Sequence, residues 1–479
     1  MKQYLSVCLF AALAILSGCY KDKGNYDLHE INQLSFKTTS PDTLRVKLFN
    51  RLAVNMDVEQ SQSADAANLE YSWRLFTWPN AGAVIPLGKT KNLDTAVTFN
   101  PGVYKLVFDA KDKISGIVSF KEFIVDISSD LSEGWLLLED LGGVQDLSLV
   151  TGLKDIYRDI YLKGNGERLP SGSQQVRIIN TFSNPQEIVV FGNNNGLRMS
   201  YINFQRQFNY ADLFFTAPAE IAPEEVYANK LGVSGFIVNK GKLHSVDYAY
   251  QGEKKYGAAK EGNWVISPQV LPMFASDNTM LFDTRNQRFL KHTNDKIQTL
   301  ASVEGSQFEL DNVGKQLIYA GRSLSDHFNC LMKNNNDDSL FIYRLNPEGT
   351  LIATDVFDVL DAPGMGQASH YASSELYMHM YYSIGNKIYL LDIPAQKARL
   401  LYTFPAGETI SAMRLKQAQG LILYWPDNNR VMSVATWNGT KGKFYKFSIA
   451  NTGDFSGGTY DEAYGGFGKI LDLYYKWKQ

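Results

Sequence analysis

Cysteine is scarce in this sequence: 479 residues carry three, and two of those, Cys8 and Cys19, lie in the opening segment. Only Cys330 is left for the remainder of the chain, which excludes an intramolecular disulfide and a C-x-x-C metal or redox pair there. Charge of one sign is equally missing. Lys plus Arg number 47 and Asp plus Glu 50, a formal charge of -3, and no basic stripe offsets that balance, which excludes nucleic-acid binding driven by counterion release. The apolar run from Tyr4 to Leu16 is shorter than the roughly 20 residues that cross a bilayer as a helix. Reaction motifs are missing as well. There is no G-x-S-x-G elbow, no Walker loop and no dinucleotide fingerprint. His29-Glu30 opens like a zinc-protease H-E-x-x-H, but Gln33 stands where the second histidine would ligate.

What is present is a globular β composition. Hydrophobic residues make up 44% and charged residues 20%, which excludes a mostly disordered chain. Tyr 27, Phe 27 and Gly 38 against 15 Pro lean towards strands and turns. Lys2, the apolar run and Leu16-Ser17-Gly18-Cys19 together read as a lipoprotein signal peptide over residues 1–18, with Cys19 the lipidated first residue of the mature chain. Each buried CH₂ of the attached acyl chains adds about 0.8 kcal/mol, so several chains hold a protein on a leaflet without spanning it. Residues 19–32, with Lys21, Asp22, Lys23, Gly24 and Asn25, read as a lipidated tether.

From residue 33 to 128 short strands of alternating polarity recur, among them Leu44–Leu48, Leu69–Leu75, Val103–Asp109 and Phe120–Asp126. The spacing predicts an immunoglobulin-like β-sandwich with Trp73 between the sheets. After Ser128-Ser129-Asp130 hairpins take over. Glu187–Phe191 with Leu197–Tyr201, Gly235–Val238 with Lys242–Val246, Thr279–Asp283 with Arg288–Leu290, Met378–Tyr382 with Lys387–Leu391, and Leu421–Tyr424 with Val431–Val434 are the clearest. Their starts are spaced as in four-stranded propeller blades, and at about 49 residues per blade the 134–479 segment holds seven, with six and eight as alternatives. The final run through Lys469-Ile470-Leu471-Asp472-Leu473 is expected to pair with the strand near Trp135 and close the ring. The predicted fold class is therefore all-β: a sandwich over 33–128 and a β-propeller over 134–479.

The segment Cys19-Tyr20-Lys21-Asp22-Lys23-Gly24-Asn25-Tyr26-Asp27 resembles the opening of the PKD-like family lipoproteins of Bacteroidota. Thr98–Tyr104, Gly134-Trp135 with Leu138, and Gly465–Ile470 are similar to further signposts of that family, while Leu28 departs from the aromatic often found there. The resemblance implies an outer-membrane, cell-surface lipoprotein encoded beside a TonB-dependent transporter and lid lipoprotein of the SusC/SusD type, with a role in nutrient capture. It implies no catalytic residue.

Candidate ligand contacts are aromatic rings on loops, because flat rings give large contact area at low entropy cost. These are Trp78, Trp264 and Trp425, to which Arg322 and Asp326 near Tyr319 add polar groups. The competing reading of the rings is as rim or blade plugs. His327 and His370 could meet at a propeller axis, although scattered core or surface histidines are the commoner outcome. Asn334-Asn335-Asn336-Asp337-Asp338 offers oxygens in a row but lacks full calcium-loop spacing, and reads as a hairpin turn. Asn438-Gly439 reads as a type I′ turn. No metal, cofactor or nucleic acid is expected. The leading functional reading is a non-catalytic accessory to a SusC/SusD-type importer that binds peptide or glycan. The alternatives are a propeller-type polysaccharide lyase or hydrolase, whose acid and base come from separate blades, and a purely structural component of the importer.

Overall fold

The computed structural model describes residues 30–62, 65–79, 82–181, 184–274, 278–418 and 427–478. Cys19, Trp425 and the expected strand Leu421–Tyr424 lie outside them, as does most of the tether. The chain divides into two units, one made of the residues up to Arg45 with Arg51–Thr95 and Val103–Asp126, the other of Val46–Asn50, Ala96–Gly102 and the chain from Ile127 onward.

In the first unit the alternating pattern places every second side chain inward. Strands Thr43–Lys47, Val118–Ser128, Gly102–Asp112, Leu69–Thr77 and Ile85–Gly88 form one sheet in that order. Leu34–Lys37 pairs with Asp57–Gln60, and Arg51–Val54 with Leu93–Ala96. Trp73 is fully buried; its ring centroid lies 4.7 Å from that of Phe108 and 6.2 Å from that of Phe123. Its indole N–H donates to the Thr90 carbonyl at 3.0 Å, so the one polar atom of a large buried ring is satisfied.

The second unit contains seven sheets among the described residues, and each contributes one strand to the wall of a common cavity. These inner strands are Lys469–Lys476, Ser173–Thr181, Pro223–Ala228, Leu271–Pro272, Lys315–Arg322, His370–Ser373 and Thr409–Leu415, for blades one to seven. Six blades have four antiparallel strands and the third has three. Its outer strand, Lys242–Asp247, is instead bonded by the irregular segment that follows, where Gly257 and Lys260 donate N–H to the Ser245 and Leu243 carbonyls at 2.9 Å. That covers an edge that would otherwise be open to pairing.

The ring closes as the sequence implied. Trp135 pairs with Tyr475, Leu136 with Tyr474 and Leu137 with Leu473, so the last strand becomes the inner strand of the first blade. Ile470, Leu473, Trp135 and Trp477 are buried together with Ala435 and Phe444 of the seventh blade. The middle strands of blades are buried on both faces because blades cover them from both sides: Gln145–Val150 and Ser234–Asn239 are buried throughout.

Two local expectations are corrected. Val431–Trp437 is paired on one edge with Thr409–Leu415 and on the other with Gly442–Ser448, so neither edge is free for the partner expected at Leu421–Tyr424. At Asn438-Gly439 only the glycine has positive φ, 93°. Asn438 acts through its side chain, whose oxygen accepts the N–H groups of Thr440 and Lys441 at 3.0 and 2.8 Å; the turn is an Asx type rather than I′. The I′ geometry occurs at Lys240-Gly241, with φ 51° and 66°.

Candidate ligand-binding channel

Three of the inner strands carry a charge at their centres. Val176-Arg177-Ile178, Met413-Arg414-Leu415 and Leu471-Asp472-Leu473 each place one charged residue between apolar neighbours, and alternation sends the charge to one face and the apolar pair to the other. The apolar side chains enter the packing between blades, and Arg177 and Arg414, with Ile178, Met413 and Leu415, line a cavity of about 350 Å³ bounded by all seven inner strands; Asp472 meets that wall through the two arginines.

The charges are paired before any ligand arrives. The guanidinium of Arg177 donates from Nε and Nη2 to the two oxygens of Glu225, both at 2.6 Å, and from Nη1 to Asp472 at 2.6 Å. Arg414 reaches the other Asp472 oxygen at 3.4 Å, so one network links blades seven, one, two and three. Burial by itself would lower the Arg177 pKa; the Glu225 and Asp472 carboxylates outweigh it and hold the group firmly protonated. Burial pushes Asp472 in the opposite direction, and Arg177, Arg414 and the Val176 and Leu473 N–H groups overcome it, leaving its carboxyl below the ordinary value. Lys230 and Glu375 form a second pair at 2.6 Å.

Around these pairs the wall is phenol and amide. Tyr227 donates to the Pro268 carbonyl at 2.7 Å and Tyr371 to the Met365 carbonyl at 2.6 Å. Tyr319 accepts the Ser373 N–H at 3.1 Å and stacks on Tyr371 with centroids 5.4 Å apart. Burial pushes the phenols of Tyr319 and Tyr371 up to about 12, so they serve as neutral hydroxyls at physiological pH. Gln269 and Gln417 also line the cavity. Such a wall can hold a polar ligand by hydrogen bonds and ring contact, with groups fixed by the scaffold beforehand.

Of the residues singled out from sequence, Arg322 lies in this wall. It donates to the Pro272 carbonyl at 2.5 Å and to Asp326 at 3.0 Å, and its guanidinium carbon lies 4.9 Å from the Phe328 ring centroid. Asp326 sits in the kinked turn Leu324–Asp326, is largely exposed, and pairs with Arg322 of the channel wall. Trp264 is elsewhere: it packs on the cluster of Phe236, Leu243 and Leu281, with its ring so close to Gly262 that a Cβ there would overlap it. Trp78, in the first unit, is half exposed beneath the Lys105 ammonium, 4.6 Å from its centroid.

The two histidines do not form a site together. His327 contacts its own turn at the Ser325 carbonyl, whereas His370 is held by Ser383 Oγ at 2.9 Å and the Ser411 carbonyl at 3.2 Å. In the Asn334–Asp338 loop, Asp337 accepts from Ser339 N–H at 2.8 Å and Asn334 at 3.3 Å, the bonding of a hairpin turn.

Sequence reasoning missed Arg177, Glu225, Lys230, Glu375, Arg414 and Asp472. For Arg177, Arg414 and Asp472 the available signal was a charge enclosed by apolar neighbours, since a buried strand tolerates a charge only where a partner meets it; Glu225, Lys230 and Glu375, each with a polar neighbour, carried no such signal.

Residues 19–172 match the PKD-like family, a span that ends just before the inner strand of the second blade. No curated protein matches the chain. Among solved structures it is similar to a quinonprotein alcohol dehydrogenase-like protein from Bacteroides thetaiotaomicron VPI-5482, at 15% identity and a TM-score of 0.48 over 89% of this chain and 96% of that one. It is also similar to the extracellular domain of a one-component system from B. thetaiotaomicron, at 8% identity and a TM-score of 0.34 over 89% and 80%. A third is a Synechocystis apocarotenoid oxygenase, at 8% identity and a TM-score of 0.37 over 94% and 97%. These likenesses transfer no residue role and no activity to this chain.

Proposed function

We propose that this protein is a non-catalytic cell-surface lipoprotein, anchored in the outer membrane through Cys19, that serves a SusC/SusD-type importer by binding peptide or glycan in its propeller channel. The observation that carries the binding role is the wall itself. Its cations are already matched to carboxylates, and neutral phenols and amides stand between them, an arrangement suited to holding a polar molecule in place. The anchor and the importer rest on the Leu16-Ser17-Gly18-Cys19 signal and on the PKD-like match over residues 19–172.

The test is calorimetric titration of the full chain with short peptides and with neutral oligosaccharides, alongside Tyr319→Ala and Gln417→Ala. Saturable binding that either substitution weakens supports the channel. Turnover of a polymer substrate, or binding indifferent to both substitutions, would move the assignment to the lyase or hydrolase reading or to another surface.

A further inference from the structure

The pair Lys230–Glu375 differs from the other channel pairs in where its partners originate. Arg177, Glu225, Asp472 and Arg414 join inner strands of blades that are neighbours around the ring. Lys230 follows the inner strand of the third blade and Glu375 that of the sixth. Two blades separate these on one side and three on the other, so a 2.6 Å ion pair between them runs across the channel rather than along its wall. Both side chains are only 13% and 14% exposed.

The two loops holding the pair are fixed. Beside Lys230, the Asn229 side-chain oxygen accepts the Val233 N–H at 2.8 Å and Leu231 N–H donates to the Phe274 carbonyl at 3.1 Å. Glu375 N–H donates to the Asn429 side chain at 3.1 Å, and that same oxygen accepts from Gln417 at 3.2 Å. A bar with rigid ends cannot swing aside freely, so a ligand that enters this end of the channel must separate the ammonium from the carboxylate.

We propose that Lys230 and Glu375 are the recognition pair for a zwitterionic ligand, a short peptide or amino acid whose carboxylate takes Lys230 and whose ammonium takes Glu375. This rests on the channel-binding reading and narrows it. Separating a largely buried pair strands two charges. A neutral sugar restores neither, and an anionic ligand satisfies Lys230 while leaving Glu375 unmatched. A zwitterion supplies both counter-charges, and its polar middle is left to meet the phenols and amides of Tyr319, Tyr371 and Gln417.

The experiment offers the full chain a pool of di- to tetrapeptides with free termini, the same pool after N-acetylation and C-amidation, and a pool of neutral oligosaccharides, with retained species read by mass spectrometry and titrated. The free peptides are expected to bind and the capped ones not. Lys230→Met and Glu375→Gln should each weaken binding about 30-fold, the factor equivalent to about 2 kcal/mol for losing one side of a buried charge pair. The double variant Lys230→Met/Glu375→Met, which strands no charge, should fold and not bind. Equal retention of capped and free peptides overturns the proposal, as does wild-type affinity in the double variant, which would make the pair a brace between blades. Retention of oligosaccharides alone, sensitive to Tyr319→Ala, would overturn the zwitterion and leave the channel standing. Retention of nothing would remove both.

Discussion

Replacing Arg177 with methionine isolates the charge network that joins the first three blades and the seventh. The side chains involved are 13%, 10% and 15% exposed for Arg177, Glu225 and Asp472, so solvent screens them little. Breaking a buried pair by removing one partner costs about 3–5 kcal/mol, because the other charge stays behind. Here two carboxylates stay behind, each with remaining donors. Glu225 keeps the Val226 N–H at 2.9 Å. Asp472 keeps the Val176 and Leu473 N–H groups at 3.0 and 2.9 Å and Arg414 at 3.4 Å. Those donors place the expected loss near the lower end, about 3 kcal/mol. The assay is urea unfolding followed by circular dichroism across pH. The Asp472 carboxyl is depressed in the folded chain, so its stabilisation is complete above the ordinary carboxylate value near 4 and is lost as pH falls through the folded value. Arg177→Met removes part of that depression, and the gap between wild type and variant should be widest near neutrality and narrow in acid. A gap under about 1 kcal/mol with unchanged denaturant dependence, or one that does not vary with pH, would refute the argument.

Two further predictions concern the closing strand Lys469–Lys476. Leu473→Ala removes a fully buried side chain at the junction of the first and seventh blades and should cost about 2–5 kcal/mol in chemical unfolding; a loss below about 1 kcal/mol would mean the ring does not depend on this closure. Lys476 is buried, donates to the Leu131 and Ser132 carbonyls at 2.8 and 3.1 Å, and lies 3.6 Å from the Tyr201 ring centroid. Burial, only partly opposed by Glu133, pulls its pKa down to about 7. Between that value and the unfolded value near 10.4 the unfolded chain binds the extra proton, so wild-type stability should rise with pH relative to Lys476→Met, by up to about 1.4 kcal/mol per unit. Parallel pH curves would contradict that.

The hairpins of this chain were readable because blades bury both faces of their middle strands, which favours apolar runs: Glu187–Phe191 and Thr279–Asp283 fall on observed strands, and Met378–Tyr382 falls on one from His379 onward. The closure of the ring was readable for the same reason, since Ile470, Leu471 and Leu473 cannot stay exposed at an edge. The inner strands were harder. Leu271–Pro272 is two residues long and carries no periodicity, and Pro223–Ala228 opens with Pro-Glu-Glu, which reads as loop. Channel charges therefore looked like solvated surface, while Trp264, a loop tryptophan preceded by glycine and asparagine, looked like a ligand contact and packs outside the channel on Phe236, Leu243 and Leu281. Arg322 was singled out because it follows Tyr319 in a recognisable strand, and it lies in the cavity wall. Its role needed the Pro272 carbonyl from another blade, and no local pattern announces a partner that distant in sequence.

The central question for this protein is whether it holds a ligand in the service of an importer. Affinity capture of the tagged full chain from detergent-solubilised outer membranes, with mass spectrometry of every protein and small molecule retained, tests that most directly. The expected result is a TonB-dependent transporter and a lid lipoprotein in stoichiometric amounts, together with a small polar molecule that is lost from the double variant at Lys230 and Glu375. Recovery of the chain alone, under conditions that keep a known importer complex intact, would contradict it.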